Sequence, residues 1–455
     1  MKRRWTLAAG SMALAGMLVI AGPAQAGTGE DDTGFSIEGS VRARVEAVDG
    51  QVKPGAPESD AMLSFRTLIT ASYDFGGVHL TAELDDARSY FQDSRSTAGT
   101  SESNALEPLQ AYLGIDLGGV AGQAGKGIVR LGRFTVNSGS GRVLDRPDWS
   151  NSPNSFLGVD IDWTSKRGDR LHLVAVRPFD KLPSDRASMQ DNKVELDRAN
   201  PGLHFWGGSF TRAKAVAGAN AEIYGFWLGE RDRTGRPTRD RALFTSGLRF
   251  NRAAAKGKFD FDVEGILQRG TMRATTSAAD VTDRKVRAGS AHVELGYTFP
   301  TGWTPRVAGV FEYASGDTSA PSVTRFDPLF GGRRGDFGPI SLYGPVSRAN
   351  VISPGIVFDA KPAKGWDFML KGQKLWLASA TDSFAATSVR DATGASGRDA
   401  GFQFEGRVRN WLIPKKLRLE FGAALLAKGD FLTDAPNAPD TGDMRFAYLG
   451  ISTFF

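Results

Sequence analysis

This 455-residue sequence predicts an all-β protein, a transmembrane antiparallel β-barrel of about 18 strands with short periplasmic turns and long extracellular loops. Three observations predict this fold class. The connections between strand-like runs alternate between short and long. The N-terminus resembles an export signal, and the chain stops inside a strand-like run at Phe455. A soluble β-sandwich also has many strands, but it has no reason to sort its connections by length.

The connections fall into two length classes. Outer-membrane barrels show this alternation because the turns on their periplasmic rim are short and the loops on their extracellular rim are long. The first connections that show the pattern are, in chain order, Gly76-Gly77, 89–107, 118–126, 134–154 and 165–169. We expect the long segment 134–154 to fold inward and restrict the lumen.

Apolar and polar residues alternate within the strand-like runs, as they must where a strand separates lipid from a watery lumen. In the first run, Val41, Ala43 and Val45 lie on one face, and Arg42 and Arg44 lie on the other. The predicted strands are 35–46, 61–75, 78–85, 109–116, 127–134, 155–164, 170–179, 201–212, 221–231, 241–252, 259–268, 285–299, 304–315, 347–359, 366–377, 402–409, 417–423 and 444–455.

The two ends of the chain predict export to the bacterial outer membrane. Residues 1–26 have a basic start, an apolar stretch too short to span a bilayer and a small-x-small cleavage site at Ala24-Gln25-Ala26. We therefore expect a signal peptide at 1–26, cleaved near Ala26, and a single barrel domain at 27–455. The terminal Phe455 resembles the assembly signal of outer-membrane proteins.

The composition narrows the function classes. The formal charge of +5 comes from 56 Lys+Arg against 51 Asp+Glu, and loss of the three basic signal residues leaves 53 against 51, so a nucleic-acid partner is not expected. The chain has no Cys and therefore no thiolate metal site. Its four His form no metal-type pair, and no nucleophile elbow is present. We expect a non-enzyme without catalytic residues, metal or cofactor.

Charged side chains of both signs share the predicted inner faces. The first interpretation of each is a structural ion pair, because facing charges hold the side chains of a wide lumen in place. The second is a ladder of guanidinium groups that selects anions, since the planar fork of arginine binds both oxygens of a carboxylate. The inner-face candidates are Arg42, Arg44, Arg66, Arg88, Arg407 and Arg409.

Two stretches carry motifs of a known family. In the first, Leu-Gly-Arg-Phe at 131–134 leads through a Gly-rich segment with Arg142 to Asp-Trp-Ser-Asn at 148–151. In the second, Phe-Asp-Pro-Leu-Phe at 326–330 runs on toward Asn350. Together these motifs resemble those of the alginate export family. Phe134 and Leu157 depart from the family pattern, where Gln and Asp are usual, which bears on the substrate more than on the fold.

The resemblance implies a passive channel with an electropositive, arginine-lined constriction that conducts a polyuronate from periplasm to exterior. The implied substrate partner is an anionic polysaccharide or oligosaccharide such as alginate. Membrane lipid and lipopolysaccharide are expected partners, and periplasmic export machinery is a candidate partner. The expected oligomeric state is a monomer. The residues carried over as pore or pore-loop candidates are Arg133 and Arg142, with Arg146, Arg333, Arg334 and Arg348 as further additions.

Three alternatives stay open. One is an uptake porin for small anions or oligosaccharides, with loop 315–347 as its eyelet. Another is an outer-membrane enzyme that uses His79 or His292, which lie on predicted inner faces. The third is a structural barrel plugged by its own loops, which would show no conductance.

Overall fold

The computed structural model describes residues 34–318 and 321–455. Within them the chain forms one antiparallel sheet that closes on itself, because β1 pairs with both β2 and the last strand, β19. Of the nineteen strands, the two-residue β8 pairs only with β7, and the other eighteen form the wall. The predicted signal peptide lies outside the described residues.

The elements follow one another in a simple up-and-down order. The strands are β1 (Gly34–Asp49), β2 (Asp60–Asp74), β3 (Val78–Tyr90), β4 (Asn104–Leu117), β5 (Gly125–Phe134), β6 (Phe156–Ser165), β7 (Arg170–Asp180), β8 (Arg198–Ala199), β9 (Leu203–Val216), β10 (Ala219–Glu230), β11 (Ala242–Arg252), β12 (Phe259–Met272), β13 (Arg284–Thr298), β14 (Arg306–Ala314), β15 (Val351–Ala360), β16 (Trp366–Trp376), β17 (Asp399–Ile413), β18 (Leu417–Lys428) and β19 (Met444–Phe454). Three short helices lie in the long loops: α1 (Arg186–Gln190), α2 (Arg334–Phe337) and α3 (Asp430–Asp434).

The predicted fold class is confirmed, and each predicted strand corresponds to a strand of the wall. Several strands extend beyond their predicted bounds, by up to five residues, whereas β15 begins later than predicted, at Val351 rather than at 347. Asn350 has a positive φ of 47°, and its amide group donates hydrogen bonds to the carbonyls of Ser379 and Asp382. Residues 347–350 therefore belong to the loop before the strand.

The two faces of the wall differ as the alternation predicts. On β1, the inward Arg42 and Arg44 are buried, whereas the outward Val45 is 52% exposed. An exposed apolar face of this kind suits the hydrocarbon of a bilayer. In the described part of the chain, no helix combines the length and the apolar character that a membrane span needs.

Two long connections on the extracellular side fold into the lumen, as expected for 134–154. Loop 3 (135–155) and loop 7 (315–350) contact each other through backbone hydrogen bonds, for example from the Gly332 amide to the Gly141 carbonyl at 2.8 Å. Phe330 of loop 7 packs edge-on against Phe156 and Phe205 of the wall, with ring centroids 5.3 Å apart in both cases. The lumen is therefore narrowed by chain segments that are packed in place.

Candidate pore constriction

Loops 3 and 7 enclose a cavity of about 380 Å³ against the inner faces of β1, β17, β18 and β19. Nine arginines and four carboxylates line it directly. Several of these arginines also pair with acids just behind the lining, such as Glu46, Glu83 and Glu405. The lining carboxylates are Asp145, Asp148, Asp336 and Glu420. The arginines are Arg42, Arg44, Arg142, Arg146, Arg333, Arg334, Arg407, Arg409 and Arg418, so eight of the twelve candidates from the sequence meet in one place.

Loop 3 is held on the wall by arginines of β1 and β2. Arg42 donates hydrogen bonds to the carbonyls of Asp148, Trp149 and Ser150, at 2.7, 2.9 and 3.1 Å. Arg66 donates to the Asp148 carbonyl at 2.9 Å and to its carboxylate at 2.9 Å. These guanidinium groups satisfy backbone acceptors that the sheet does not reach. The Asp-Trp-Ser-Asn stretch is therefore a docking segment.

The indole ring of Trp149 lies between two cations at the cavity wall. The Arg44 guanidinium lies 4.2 Å from the ring centroid, and the Arg334 guanidinium of α2 lies 4.7 Å from it. Both arginines also have a carboxylate partner, Glu46 at 2.6 Å and Glu405 at 2.5 Å respectively. These contacts join loop 3, loop 7 and two strands in one network.

Asp336 of α2 is the centre of the contact between the two loops. Its carboxylate accepts from Arg142 Nε at 3.0 Å and from the buried Arg348, and Arg142 also contacts Glu264 of β12 at 2.6 Å. Burial alone would raise the pKa of Asp336, but Arg142 and Arg348 outweigh it and hold the pKa well below its usual range. The carboxylate is therefore ionised at neutral pH, and it locks loop 7 to loop 3.

Three side chains in this region could in principle bind a cation. His292, Glu312 and Asp336 bring ligand atoms within 4.8 Å of one another. The two guanidinium groups already bonded to Asp336 place positive charge beside it, which opposes a divalent metal ion. His292 is instead bonded to Glu312 at 2.5 Å.

Arg133 lies away from this cavity, in a buried cluster behind loop 3. It bonds the buried carboxylate of Glu107, contacts Asp197 at 3.1 Å and donates to Ser155 at 2.7 Å. Burial and the neighbouring Glu107 raise the pKa of Asp197 to about 6. The geometry gives Arg133 a structural position, in which it compensates two buried acids.

Replacing Arg133 with methionine should destabilise the barrel by about 3–5 kcal/mol, because the two carboxylates would stay buried without their cation. The loss should be larger at pH 8 than at pH 5, since a carboxyl group whose folded-state pKa is raised stabilises the folded state as it takes up a proton. Thermal unfolding at both pH values measures this. Arg212→Met is the control, because its pair with Asp169 is half-exposed and contributes about 1 kcal/mol or less. Equal losses in both variants would contradict the assignment.

Several arginines in the cavity keep uncompensated charge. Arg407 and Arg409 share the single carboxylate of Asp367, at 3.2 and 2.9 Å. Arg146 has one partner, Glu83 at 2.7 Å, while Arg333 of loop 7 donates only a long 3.5 Å hydrogen bond to the Val346 carbonyl among the described residues. Arg146 is balanced by Glu83, so the excess positive charge lies mainly at Arg333 and at the Arg407–Arg409 pair.

The inner-face assignment of Arg88 is corrected. Arg88 is paired in register with Phe65, which is 38% exposed on the outer face, whereas its neighbour Ala87 is buried. It bonds Asp86 on the same outer face at 2.9 Å. Alternation along β3 puts the acids Glu83 and Asp85 inside and therefore puts residue 88 outside.

The comparisons with known proteins agree with this architecture. The sequence profile of the alginate export family, described as "Alginate export", matches residues 35–446. No curated protein gives a significant match.

Solved structures show the same fold at low identity. OccAB1 of Acinetobacter baumannii is 13% identical, with 92% of this chain and 96% of that chain covered and a TM-score of 0.58. OpdQ of Pseudomonas aeruginosa is also 13% identical, with 92% and 97% covered and a TM-score of 0.53. The family match spans most of the chain and the wall is a closed barrel, so the chain belongs to the alginate export family and is an outer-membrane channel protein.

Proposed function

We propose that the barrel is a passive channel for an anionic saccharide, and that the substrate carboxylates bind the unbalanced arginines of the constriction. The observation that supports this most is the cluster of nine arginines around a single cavity in the lumen, where Arg333 and the Arg407–Arg409 pair leave an excess of positive charge. In a narrow cavity with low-dielectric walls, such an excess raises the local concentration of anions.

Arginine suits this substrate class because its planar fork binds both oxygens of a carboxylate. Arg407 and Arg409 lie two residues apart on the inner face of β17 and share one acid, so each can exchange that partner for a passing anion. Conduction requires sites that bind and then release. Arg142 and Arg348 do not meet this requirement, because both are buried and held in place, Arg142 by several carboxylates and Arg348 by Asp336 and two backbone carbonyls.

An uptake channel for small anions is the second candidate, and the size of the constriction favours it. The cavity of about 380 Å³ is bounded by two loops that are locked together at Asp336. A short oligosaccharide fits such a space more readily than a moving polymer. Export of a polyuronate therefore requires loop 7 to move, whereas uptake of a small anion does not.

The third part of the proposal is that the barrel is not an enzyme. His79 bonds Asp116 at 2.9 Å and contacts Asp74 at 3.2 Å, next to the short turn between β2 and β3. His292 is on β13 and is bonded to Glu312. Loss of a hydrolytic activity in His79→Ala or His292→Ala would contradict this part.

Block of single-channel current by oligouronates of increasing length tests the substrate class. We expect oligouronates to block, and neutral oligosaccharides of equal length not to block. A block that strengthens with each added uronate indicates a polymer path, while a block by monomers alone indicates uptake of small anions. Equal block by neutral and anionic sugars would contradict a carboxylate-binding constriction.

A further inference from the structure

A large apolar groove crosses the lipid-facing side of the wall between β7 and β14, with a volume of about 930 Å³. Side chains are small along its floor, where Ser246, Gly265 and Gly289 face outward on adjacent strands. Large side chains border it, including Phe244, Leu248 and Leu267, which are 45%, 54% and 57% exposed. A recess of this kind in an outward apolar surface has room for acyl chains.

Two exposed arginines stand directly above the groove, at the extracellular ends of β12 and β13. Arg269 is paired in register with Arg287, and both side chains point outward. Each lies two residues beyond a groove residue on its own strand, Leu267 and Gly289, which are themselves paired in register. The row of arginines therefore runs along the extracellular edge of the groove.

This pair of like charges is not compensated within the described part of the protein. Arg269 donates one hydrogen bond, to the Gln268 carbonyl at 3.1 Å, and neither guanidinium group has a carboxylate partner. Lys285 adds a third exposed cation two residues from Arg287 on β13. Directly opposed like charges on adjacent strands are destabilising unless an anion lies between them.

Several other outward cations of the wall lie beside an acid. Arg88 bonds Asp86 at 2.9 Å, and Lys374 bonds Asp399 at 2.6 Å. Arg445 is paired in register with Asp49. Arg177 of β7 has no acid beside it among the described residues, but it also has no cation opposite it. The Arg269–Arg287 pair differs from all of these cations because two like charges face each other with no acid between them.

We propose that this face binds one phosphorylated lipid of the outer leaflet, with its phosphate on Arg269 and Arg287 and an acyl chain in the groove below. A phosphate group offers several acceptor oxygens, and two guanidinium forks can bind it together. The anionic headgroup removes the repulsion between the arginines, and the chain fills the recess next to Gly265. Charge complementarity above and apolar volume below select a molecule that has both parts.

The test is lipid binding to the barrel refolded in detergent micelles, measured by native mass spectrometry with bisphosphorylated and dephosphorylated lipid A as probes. We expect the phosphorylated form to bind at least about tenfold more tightly to the unsubstituted protein. The double variant Arg269→Gln with Arg287→Gln should lose this preference. Gly265→Leu should weaken binding of both lipids, since a Cβ at residue 265 meets no heavy atom within 4 Å and the side chain would occupy the groove.

Arg177→Gln is the matched control. Arg177 is an exposed, outward arginine near the extracellular end of β7, but it is paired in register with Leu157 rather than with a second cation. The preference for the phosphorylated lipid should survive in this variant. The proposal is overturned if the double variant keeps the preference, if Arg177→Gln loses it equally, or if inorganic phosphate displaces the lipid, which would assign the arginines to a free anion.

Discussion

Replacing Asp336 with alanine should widen the channel and raise its single-channel conductance severalfold. Asp336 is the acid that Arg142 and Arg348 share, and its backbone carbonyl accepts from Lys371 of β16 at 2.6 Å. Without the carboxylate, two guanidinium groups remain in a buried site beside each other, and removal of one partner from a buried ion pair costs about 3–5 kcal/mol. Release of loop 7 from loop 3 relieves that repulsion.

The control for this variant is Asp280→Ala in the loop between β12 and β13. Asp280 is partly exposed and bonds only its neighbours in that loop, such as Thr275 at 2.8 Å. Its removal should leave conductance unchanged. Planar-bilayer recordings of both variants decide the matter, and an unchanged conductance in Asp336→Ala would mean that loop 7 is held by other contacts.

The same contact predicts how the channel responds to pH. The folded-state pKa of Asp336 is depressed, so its contribution to stability is fully present above the unfolded-state pKa of about 3.9. That contribution is lost only as the pH falls through the depressed folded-state pKa. The contact between loop 7 and loop 3 should therefore persist between pH 7 and pH 5. The conductance of the unsubstituted channel should not change over this range through any movement of loop 7.

Replacing Arg407 and Arg409 together with glutamine should abolish most of the anion preference while the barrel stays folded. These two arginines share one half-exposed acid, Asp367, which water can solvate when they are gone. Hydrogen bonds to charged groups contribute about 1.5–3 kcal/mol each, so the affinity for an oligouronate should fall about tenfold or more.

The reversal potential in a salt gradient measures this loss, and it should move toward zero. Arg177→Gln removes a positive charge from the outer face of β7 and should leave the reversal potential unchanged. If the double variant stays as anion-selective as the unsubstituted channel, the selectivity must come from other residues.

The strands and the alternation of loop lengths could be predicted from sequence because both depend on local patterns. Alternation assigns each side chain a face, and it placed Arg407 and Arg409 in the lumen. The prediction for Arg88 was wrong, because the alternation that places Glu83 and Asp85 inside the barrel places residue 88 outside.

The partners of the arginines could not be predicted, because they come from distant parts of the chain. Arg142 bonds Asp336, which lies 194 residues later in the sequence, and Arg42 bonds residues of loop 3 that lie more than 100 residues later. These contacts distinguish arginines that fix a loop in place, such as Arg142, from arginines whose positive charge is not fully balanced by an acid, such as Arg409. Asp336 itself was missed, although it lies in the second stretch that resembles the family and is the one acid in a Gly-Gly-Arg-Arg-Gly-Asp run.

The central claim is that unbalanced arginines in the constriction make this barrel an anion channel. The most direct test is the reversal potential of the refolded, unsubstituted protein in a planar bilayer under a salt gradient, before and after an oligouronate is added. We predict an anion-selective current that the oligouronate reduces. A cation-selective or unselective current that the oligouronate leaves unchanged would contradict the claim.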